Sequence, residues 1–203
     1  MRTTQILEIR NESPTVKTFV FADRLCSKAK PGQFLMLWIP GIDEIPLSIM
    51  DTSNGIVSVS VKAVGDATRY MHAMQTGAII GIRGPFGNSF TETRGRALLV
   101  GGGTGTAPLL FLAKQLSTKT KEELLFLQQI GKICEYKNTI TTTEDGTAGL
   151  QCLVTKPLSE VLDREHFDMI YTCGPEVMVK KIFELTDKRK LPIEASLERL
   201  MRC

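Results

Sequence analysis

The sequence is poor in histidine, has scattered cysteines and lacks any long apolar run. Only two histidines, His72 and His166, occur in 203 residues, which argues against a zinc hydrolase or a histidine-based catalytic triad. The five cysteines are odd in number and lie far apart, so no disulfide framework is indicated and a reducing cytoplasm is expected. No stretch reaches transmembrane length and no apolar leader is seen, so no membrane association is expected.

The charge balance is close to even. Lysine and arginine number 25 against 22 acidic residues, a net charge of +3, which is too mild to indicate a nucleic-acid partner. A hydrophobic content of 42% and a charged content of 23% are typical of globular proteins. The length leaves room for one large domain or two small ones.

The first ninety or so residues have the pattern of short strands. Turn signals such as Pro31-Gly32 and Pro40-Gly41 separate apolar-alternating runs, and Asn11 to Pro14 is predicted to be a further turn. This spacing indicates a small antiparallel barrel or sandwich, interrupted by one helix over 66–74. The predicted strands cover 6–10, 15–21, 33–39, 45–50, 56–64 and 79–83.

The pattern changes after Thr93-Arg94-Gly95. Compact apolar strands now alternate with helical segments, which predicts a parallel sheet covered on both faces. The predicted strands are 96–100, 124–128, 139–143 and 169–172, and the predicted helices are 107–116, 157–162 and 176–188.

A run of glycines follows the first of these strands. Gly101 to Thr106 joins that strand to a helix, where bare backbone and free N–H groups suit a phosphate. The loop is not a P-loop, because no lysine follows Gly105, and it departs from G-x-G-x-x-G at Thr106. The second strand ends in Gln128 and Gln129, so the acidic residue that usually indicates NAD is missing there. Lys132 is a weak indication of the 2′-phosphate of NADP. A tight turn without any ligand remains the alternative.

A second loop has the same setting. Cys173-Gly174-Pro175-Glu176 also follows a strand and opens a helix. Because parallel sheets bind ligands at the carboxyl ends of their strands, both loops can face one cleft. Cys173 is either an inert buried cysteine or a neighbour of a cofactor ring, and it has no Cys-x-x-Cys partner.

These segments resemble the ferredoxin-reductase superfamily. The resemblance rests on residues 101–109 and 173–176 for a nicotinamide domain, and on 31–34, 45–49 and 84–88 for a flavin barrel. Within that superfamily, residues 65–68, 144–146 and 196–203 are similar to the electron-transfer subunits of two-subunit, NAD-linked dihydroorotate dehydrogenases.

The resemblance implies a β barrel plus an α/β domain. It places an FAD-binding barrel at 1–93, an NAD(P)-binding domain at 94–190 and the start of a [2Fe–2S] segment at 191–203. The flavin-binding residues it implies are Ile45, Pro46, Leu47, Ser48, Ser60, Val61, Lys62, Ala67 and Thr68. The nicotinamide-binding residues it implies are Gly102, Gly103, Thr104, Gly105, Cys173, Gly174 and Pro175.

Residue chemistry supports the flavin assignment, with departures from the family. An extended strand at 46–49 offers backbone groups and the Ser48 hydroxyl to a flat ring. Lys62 and the helix start at Ala67-Thr68 suit a pyrophosphate. The alternative for Lys62 is a solvated surface lysine. Ile45 and Lys62 stand where the family has arginines, and Ala67 where it has glycine. Arginine binds phosphate in a bidentate way and lysine does not, so the departures bear on flavin affinity.

The implied function is electron transfer between NAD(P) and FAD, without a catalytic side chain. The [2Fe–2S] cluster would connect FAD to the FMN of a dihydroorotate-oxidising catalytic subunit, in a heterotetramer. Cys203 resembles the first of four cluster ligands; this chain alone is expected to bind no iron, and a truncated sequence or a cluster-free variant would each explain that. A ferredoxin-, hydrogenase- or sulfide-linked oxidoreductase and a cofactor-less interaction module are the alternatives.

Overall fold

Alternating apolar residues build a closed antiparallel barrel in the first of two compact units, Met1–Phe90. The computed structural model describes residues 1–117, 124–129 and 138–197. The strand order around the barrel is β1-β2-β5-β4-β3-β6. The strands are β1 Arg2–Ser13, β2 Val16–Ala22, β3 Phe34–Ile39, β4 Asp43–Ser53, β5 Ile56–Lys62 and β6 Ile79–Phe86.

The barrel interior follows from the two-residue period of its strands. On β3 the side chains of Leu35, Leu37 and Ile39 are fully buried, while the residues between them are half-buried. Because successive side chains of a strand point to opposite faces, one face of each strand fills the core. On β5 the corresponding inward residues are Val57, Val59 and Val61.

Helix α1, Asp66–Ala73, is fastened to β2 and β5 of the barrel through His72. The Lys17 ammonium donates to the His72 carbonyl at 2.8 Å, and the His72 ring nitrogen Nε2 lies 2.8 Å from the Val61 carbonyl oxygen. Met71, one residue earlier, is completely buried. These contacts hold the last turn of α1 against β2 and β5, and the helix begins four residues after Lys62.

The N-terminal strand is anchored by a buried carboxylate. Asp23 is 6% exposed and accepts two hydrogen bonds from the Arg2 guanidinium, at 2.7 and 3.0 Å. It also accepts from the backbone N–H groups of Leu25 and Cys26, at 3.1 and 2.7 Å. Burial raises the pKa of Asp23, but the bonds from Arg2 and Cys26 outweigh it, so the pKa lies below its usual value.

The second unit, Thr91–Cys203, contains a six-stranded parallel sheet. Its order is β10-β9-β8-β7-β11-β12. The strands are β7 Ala97–Gly102, β8 Leu124–Gln129, β9 Thr139–Thr143, β10 Leu150–Gln151, β11 Met169–Cys173 and β12 Ile193–Ser196. The helices are α2 Thr106–Ser117, α3 Thr155–Arg164 and α4 Glu176–Asp187.

Helices α3 and α4 cover β7 and β11 through one apolar cluster. Leu98 and Val100 of β7 and Ile170 of β11 pack with Leu158 of α3 and Ile182 of α4, all fully buried. Within the described ranges no helix is both long and apolar enough to cross a membrane. The parallel sheet places the carboxyl ends of all its strands at one edge, where ligands of such sheets bind.

The predicted fold class, a barrel followed by a parallel α/β sheet, is confirmed. The turn predicted at Asn11 to Pro14 is wrong over its first three residues, because Asn11 pairs with Lys17 and Ser13 with Val16, so β1 continues to Ser13. Strand β12 was not predicted, because its four residues are too few to show a strand pattern. The predicted domain limits at 93 and 190 stay predictions.

We expect Asp23→Asn to destabilise the barrel by about 2–4 kcal/mol at pH 7, because it breaks a buried, hydrogen-bonded ion pair. A carboxyl whose folded pKa is depressed stabilises above its unfolded pKa of about 4, and this contribution is lost as the pH falls through the folded pKa. The difference between wild type and variant should therefore shrink between about pH 5 and pH 2.

Urea unfolding followed by Trp38 fluorescence measures this, since the chain has one tryptophan and it lies on β3 of the barrel. Glu8→Gln is the matched control, because it breaks an exposed pair with Arg10 at 2.7 Å and should leave the urea midpoint close to that of the wild type. An Asp23→Asn protein with the urea midpoint of the wild type at pH 7 would contradict the role given to this anchor.

Candidate functional site

A gap opens between β4 and β5 of the barrel. The ladder between the two strands runs from Ser53 and Ile56 to Ile49 and Val59 and then ends. Beyond that point β4 pairs only with β3, and β5 only with β2. Every second residue of an antiparallel strand directs its N–H and C=O away from its partner, so two backbone edges face the gap.

The gap brings together seven of the nine residues predicted to bind a flavin. Four of them lie on the β4 edge and three on the β5 edge, and the Val61 carbonyl is already taken by His72. Pro46 and Lys62 are exposed, while Ser48 is half-buried. The residues are Ile45, Pro46, Leu47 and Ser48 on β4, and Ser60, Val61 and Lys62 on β5.

Ser60 has a buried hydroxyl without a hydrogen-bond partner in the described chain. The residue is 7% exposed and lies on the face of β5 opposite Val59 and Val61, which point into the core. A buried hydroxyl left unpaired costs about 1–3 kcal/mol, so this position favours a ligand that supplies a polar atom. A flavin ring, apolar on its faces and polar along its edge, fits the gap and its orphan hydroxyl.

The start of α1 lies next in the chain after the gap. The first intrahelical bond joins the Arg69 N–H to the Gly65 carbonyl at 2.9 Å, so the N–H groups of the preceding turn are those without a partner inside the helix. The Thr68 hydroxyl accepts from the N–H groups of Val64 and Gly65, both at 2.9 Å, and donates to the Gly65 carbonyl. Thr68 therefore shapes the helix start, and Ala67 and Thr68 can offer backbone N–H groups to an anion.

The local charge at this helix start is mixed. Lys62 supplies an exposed cation, but Asp66 carries a carboxylate in the first turn, 3.3 Å from the Arg69 guanidinium. A cation and free N–H groups attract a pyrophosphate, whereas the Asp66 carboxylate opposes it. The Arg69 guanidinium neutralises part of the Asp66 charge. Lys62 is therefore the cation that would make this helix start attractive to an anion.

In the second unit the two predicted loops lie backbone against backbone. A Cβ atom added to Gly105 would lie 2.5 Å from the carbonyl carbon and oxygen of Cys173 and from the nitrogen of Gly174. No side chain fits there, so Gly105 is required for the loop after β7 to touch the loop after β11. The Cys173 side chain is fully buried; it contributes its backbone to this contact.

Met178 of α4 holds the same two loops from the helix side. Its sulfur would be 2.5 Å from a Cβ on Gly102, and its methyl carbon 2.6 Å from one on Gly174. Pro175 also lies within 3.1 Å of the Cβ position of Gly102. The thioether therefore occupies the space that the two missing side chains leave.

Gly103 is the glycine of this loop whose Cβ position faces open space. Its φ of +58° is left-handed, and a Cβ there would meet no atom within 4 Å. It starts a short 3-10 turn with the half-buried Thr104, and α2 begins directly afterwards at Thr106. The Thr106 hydroxyl is buried and has no partner in the described chain. An open left-handed glycine at a helix start suits the close approach of a phosphate.

A cavity of about 750 Å³ adjoins these loops at the carboxyl edge of the sheet. Three of its lining residues, Gly102, Gly103 and Pro175, were predicted from the sequence. The others come from the end of β9, the start of α3 and one face of α4: Glu144, Leu153, Thr155, Val177, Met178, Lys180, Lys181 and Glu184. Residues 177, 180, 181 and 184 are three or four positions apart, which is the spacing of one helix face, but only the fold shows that this face meets the cavity.

Two predictions fall on residues outside the described ranges. Cys203, the predicted cluster ligand, is one, and Lys132, the hint toward a 2′-phosphate, is the other.

Comparison with known proteins assigns the class and the family. The chain is 41% identical over 210 residues to a protein of Methanocaldococcus jannaschii, covering 98% of this chain and 78% of that one. It is 36% identical to a protein of Thermoplasma volcanium, with 98% and 78% covered. Both are named "Probable dihydroorotate dehydrogenase B (NAD(+)), electron transfer subunit". No family model matches the chain.

Solved structures agree on the fold. A structure of an NADH-dependent reduced ferredoxin-NADP oxidoreductase superposes with a TM-score of 0.86 at 25% identity, over 99% of this chain and 78% of that one. The FAD/NAD-binding domain of a nitric oxide dioxygenase from Vibrio cholerae superposes with a TM-score of 0.79 at 19% identity, over 96% and 98%.

The barrel with its gap and the parallel sheet with its paired glycine loops are those of a ferredoxin-reductase-like, NAD(P)-linked flavin oxidoreductase. Among these, the chain belongs to the family of dihydroorotate dehydrogenase B electron transfer subunits. Its role is that of an electron-transfer flavoprotein.

We expect Gly105→Ala to destabilise the second unit by about 3 kcal/mol, because two backbone segments must separate to admit the methyl group. Gly103→Ala, two residues earlier, is the matched control and should cost only about 1 kcal/mol, for its left-handed conformation alone. Urea unfolding followed by far-UV circular dichroism compares the two variants. Equal losses in both would show that the two loops are not in backbone contact.

Proposed function

We propose that the barrel binds FAD, that the paired glycine loops bind NAD(P), and that electrons pass between the two. The observation that carries this proposal is the presence, in one chain of this family, of a strand gap with the orphan Ser60 hydroxyl and of two glycine loops in backbone contact. Each has the shape and polarity of one cofactor.

Bound FAD would supply the redox chemistry, taking or giving a hydride on one side and single electrons on the other. The residues of the chain orient and bind. The β4 edge from Ile45 to Ser48 would align the polar edge of the ring, and the Ser60 hydroxyl would gain its missing partner. Lys62 and the first turn of α1 would neutralise the pyrophosphate. No side chain is assigned as a nucleophile or general base.

On the nicotinamide side the backbone does most of the binding. Gly103 lets the dinucleotide phosphates approach the start of α2, where unpaired N–H groups meet them. Gly102, Gly105 and Gly174 bring no side chain to the loop, Thr104 would offer its backbone N–H, and Pro175 with the backbone of Cys173 forms the opposite wall.

The finer assignment is a place in pyrimidine biosynthesis. The relatives are named as subunits of a dihydroorotate dehydrogenase, and such a subunit needs a catalytic partner. We assign to that partner an FMN that oxidises dihydroorotate, in a heterotetramer with this chain, with a [2Fe–2S] cluster relaying electrons between FMN and FAD. Cys203 is the first cluster ligand in this assignment.

A ferredoxin-linked oxidoreductase is the second candidate. The structure of the NADH-dependent ferredoxin-NADP oxidoreductase, 25% identical over 99% of this chain, favours it. Purification of the protein from its source separates the candidates: a flavoprotein partner that oxidises dihydroorotate supports the first, and a ferredoxin-reactive partner supports the second.

We expect the purified protein to be yellow and its extracted flavin to be FAD, because Lys62 and the start of α1 would have no pyrophosphate to bind with FMN. Lys62→Ala should weaken FAD binding about three- to tenfold, equivalent to about 0.5–1.5 kcal/mol, and leave riboflavin binding unchanged. Chromatography of the extracted flavin and fluorescence titration of the apoprotein measure both.

Lys28→Ala, an exposed lysine of the turn at Cys26–Lys28, is the control and should leave both flavins bound as in the wild type. Extraction of FMN alone would contradict the FAD assignment. A colourless protein that takes up no added flavin would support the cofactor-less interaction module.

We expect Gly103→Val to weaken NAD(P)H binding at least tenfold while the flavin content stays that of the wild type. A β-branched residue is strained at a φ of +58° and its methyl groups would fill the open side of the loop where a phosphate must approach. Flavin absorbance gives the content, and stopped-flow reduction by NADH gives the dissociation constant.

Gly55→Val is the matched control, since Gly55 also has a left-handed φ, +85°, and open space, but lies in the β4–β5 turn of the barrel. It should bind NADH normally. Loss of flavin and nicotinamide together in Gly103→Val would count against two separate sites.

A further inference from the structure

The chain between the two units is anchored on both sides of one peptide bond. The first unit ends at Phe90 and the second begins at Thr91. The Phe90 N–H donates to the Pro31 carbonyl at 2.9 Å, and the residue is buried. A Cβ on Gly32 would lie 3.0 Å from the Phe90 nitrogen and 3.1 Å from its ring carbon Cδ2. Phe90 is therefore fixed to the barrel through both its backbone and its ring.

The next residue, Thr91, is held by the second unit through both of its backbone polar groups. Its N–H donates to the Glu194 carboxylate at 2.8 Å, and its carbonyl accepts from the Tyr171 hydroxyl at 2.6 Å. Tyr171 of β11 and Glu194 of β12 lie directly opposite each other in a parallel pair of strands. These two neighbouring side chains therefore act together on one residue, and we call them the Tyr171–Glu194 clamp.

The Tyr171 hydroxyl keeps its proton at neutral pH. Burial raises the pKa of Tyr171 to about 12, against a hydrogen bond with the Thr93 backbone, which lowers it. The negative charges of Glu194 and Glu92 raise this pKa as well. The phenol is therefore a hydrogen-bond donor to the Thr91 carbonyl throughout the physiological pH range.

One soft torsion lies between these two sets of contacts. The peptide bond from Phe90 to Thr91 is planar, so each residue contributes only φ and ψ. The φ of Phe90 is fixed by its N–H and its ring, and the φ of Thr91 is fixed by its N–H and its carbonyl. The ψ of Phe90 is left. Loss of either bond of the clamp adds further free torsions to the chain between the units.

Each anchor lies close in the chain to one proposed cofactor site. On the barrel side, Gln33 follows Pro31 by two residues, and its carbonyl accepts from the Ile49 N–H at 3.1 Å, where the β4–β5 ladder ends. On the other side, Tyr171 precedes Cys173 by two residues, about 7 Å along β11. The backbone of Cys173 belongs to the paired glycine loops. A change in the clamp is therefore transmitted over a short path to the parts of the chain that hold the cofactors.

We propose that Tyr171 and Glu194 are positioning residues for electron transfer, which hold Thr91 in the conformation that lets a bound dinucleotide pass a hydride to the flavin. This inference rests on the proposed function, in which NADH loses a hydride to become NAD+ and the flavin is reduced by gaining it. Neither residue is assigned a contact with a cofactor. Hydride transfer depends steeply on the distance and alignment of the reacting atoms, so a looser clamp slows this step without weakening the binding of either cofactor.

Stopped-flow reduction of the flavin by NADH tests the proposal on the full chain. Tyr171→Phe removes only the hydroxyl, and Glu194→Ala removes the acceptor of the Thr91 N–H. Each should slow reduction at saturating NADH about tenfold or more. The flavin content and the dissociation constant for NADH should stay within about twofold of the wild type. Glu194→Gln keeps an acceptor oxygen and should reduce at the wild-type rate.

Hydrogen exchange of the Thr91 amide, followed by NMR in the purified protein without NADH, tests the clamp without electron transfer. Glu194→Ala should raise the exchange rate about tenfold or more, and Glu194→Gln should leave it unchanged. Thr186→Val is the matched control, since it removes a buried hydroxyl that bonds to the Ile182 and Phe183 carbonyls of its own helix. It should keep the wild-type values for both exchange and flavin reduction.

The outcomes separate this proposal from the one on which it rests. A wild type whose flavin NADH does not reduce overturns the proposed function, and the positioning role with it. A wild type that is reduced, with Tyr171→Phe and Glu194→Ala reduced equally fast, overturns the positioning role alone. Loss of flavin or weaker NADH binding in these two variants also overturns it, as does an equal slowing in Thr186→Val. Slower reduction with both cofactors bound, and rescue by Glu194→Gln, is the result expected.

Discussion

The second unit depends on the backbone contact of Gly105 with Cys173 and Gly174. That contact sets the separation of the loops after β7 and β11 and leaves Met178 to fill the space beside them. A parallel sheet brings the ends of these strands to the same edge, but only a residue without a side chain lets the following turns touch. The open side of Gly103 and the cavity beside it are consequences of that approach.

The barrel also exposes backbone groups to a ligand, but it does so because the β4–β5 ladder ends early and not because side chains are missing. Strand β4 pairs with β3 over its first half and with β5 over its second. The β4 edge before Ile49 and the β5 edge after Val59 therefore have no strand partner in the gap. A ligand with a polar edge can then complete the hydrogen bonding of both strands, as a further strand would. Both units therefore offer mainly backbone groups to their ligands.

This reliance on the backbone explains which features the sequence predicts. Two-residue alternation, glycine runs and strand–helix alternation are local, and they suffice for the barrel, the parallel sheet and both glycine loops. The end of the β4–β5 ladder and the pairing of β12 with β11 depend on partners distant in the chain. Glu144 was visible as part of a family-like segment, but its place in the cavity follows from the parallel pairing of β8 and β9.

The residues that depart from the family pattern also fit this account. Ile45 lacks the charge of arginine but keeps the extended backbone of β4, and Lys62 keeps one cation beside the gap. Asp66 and Arg69 offset each other in part, so Lys62 is the main cation near the start of α1. At the proposed flavin site, shape, hydrogen bonding and the unpaired Ser60 hydroxyl would therefore contribute more to binding than ion pairing. Exposed single charges contribute little in water, whereas a buried hydroxyl that gains a partner recovers the cost of its burial.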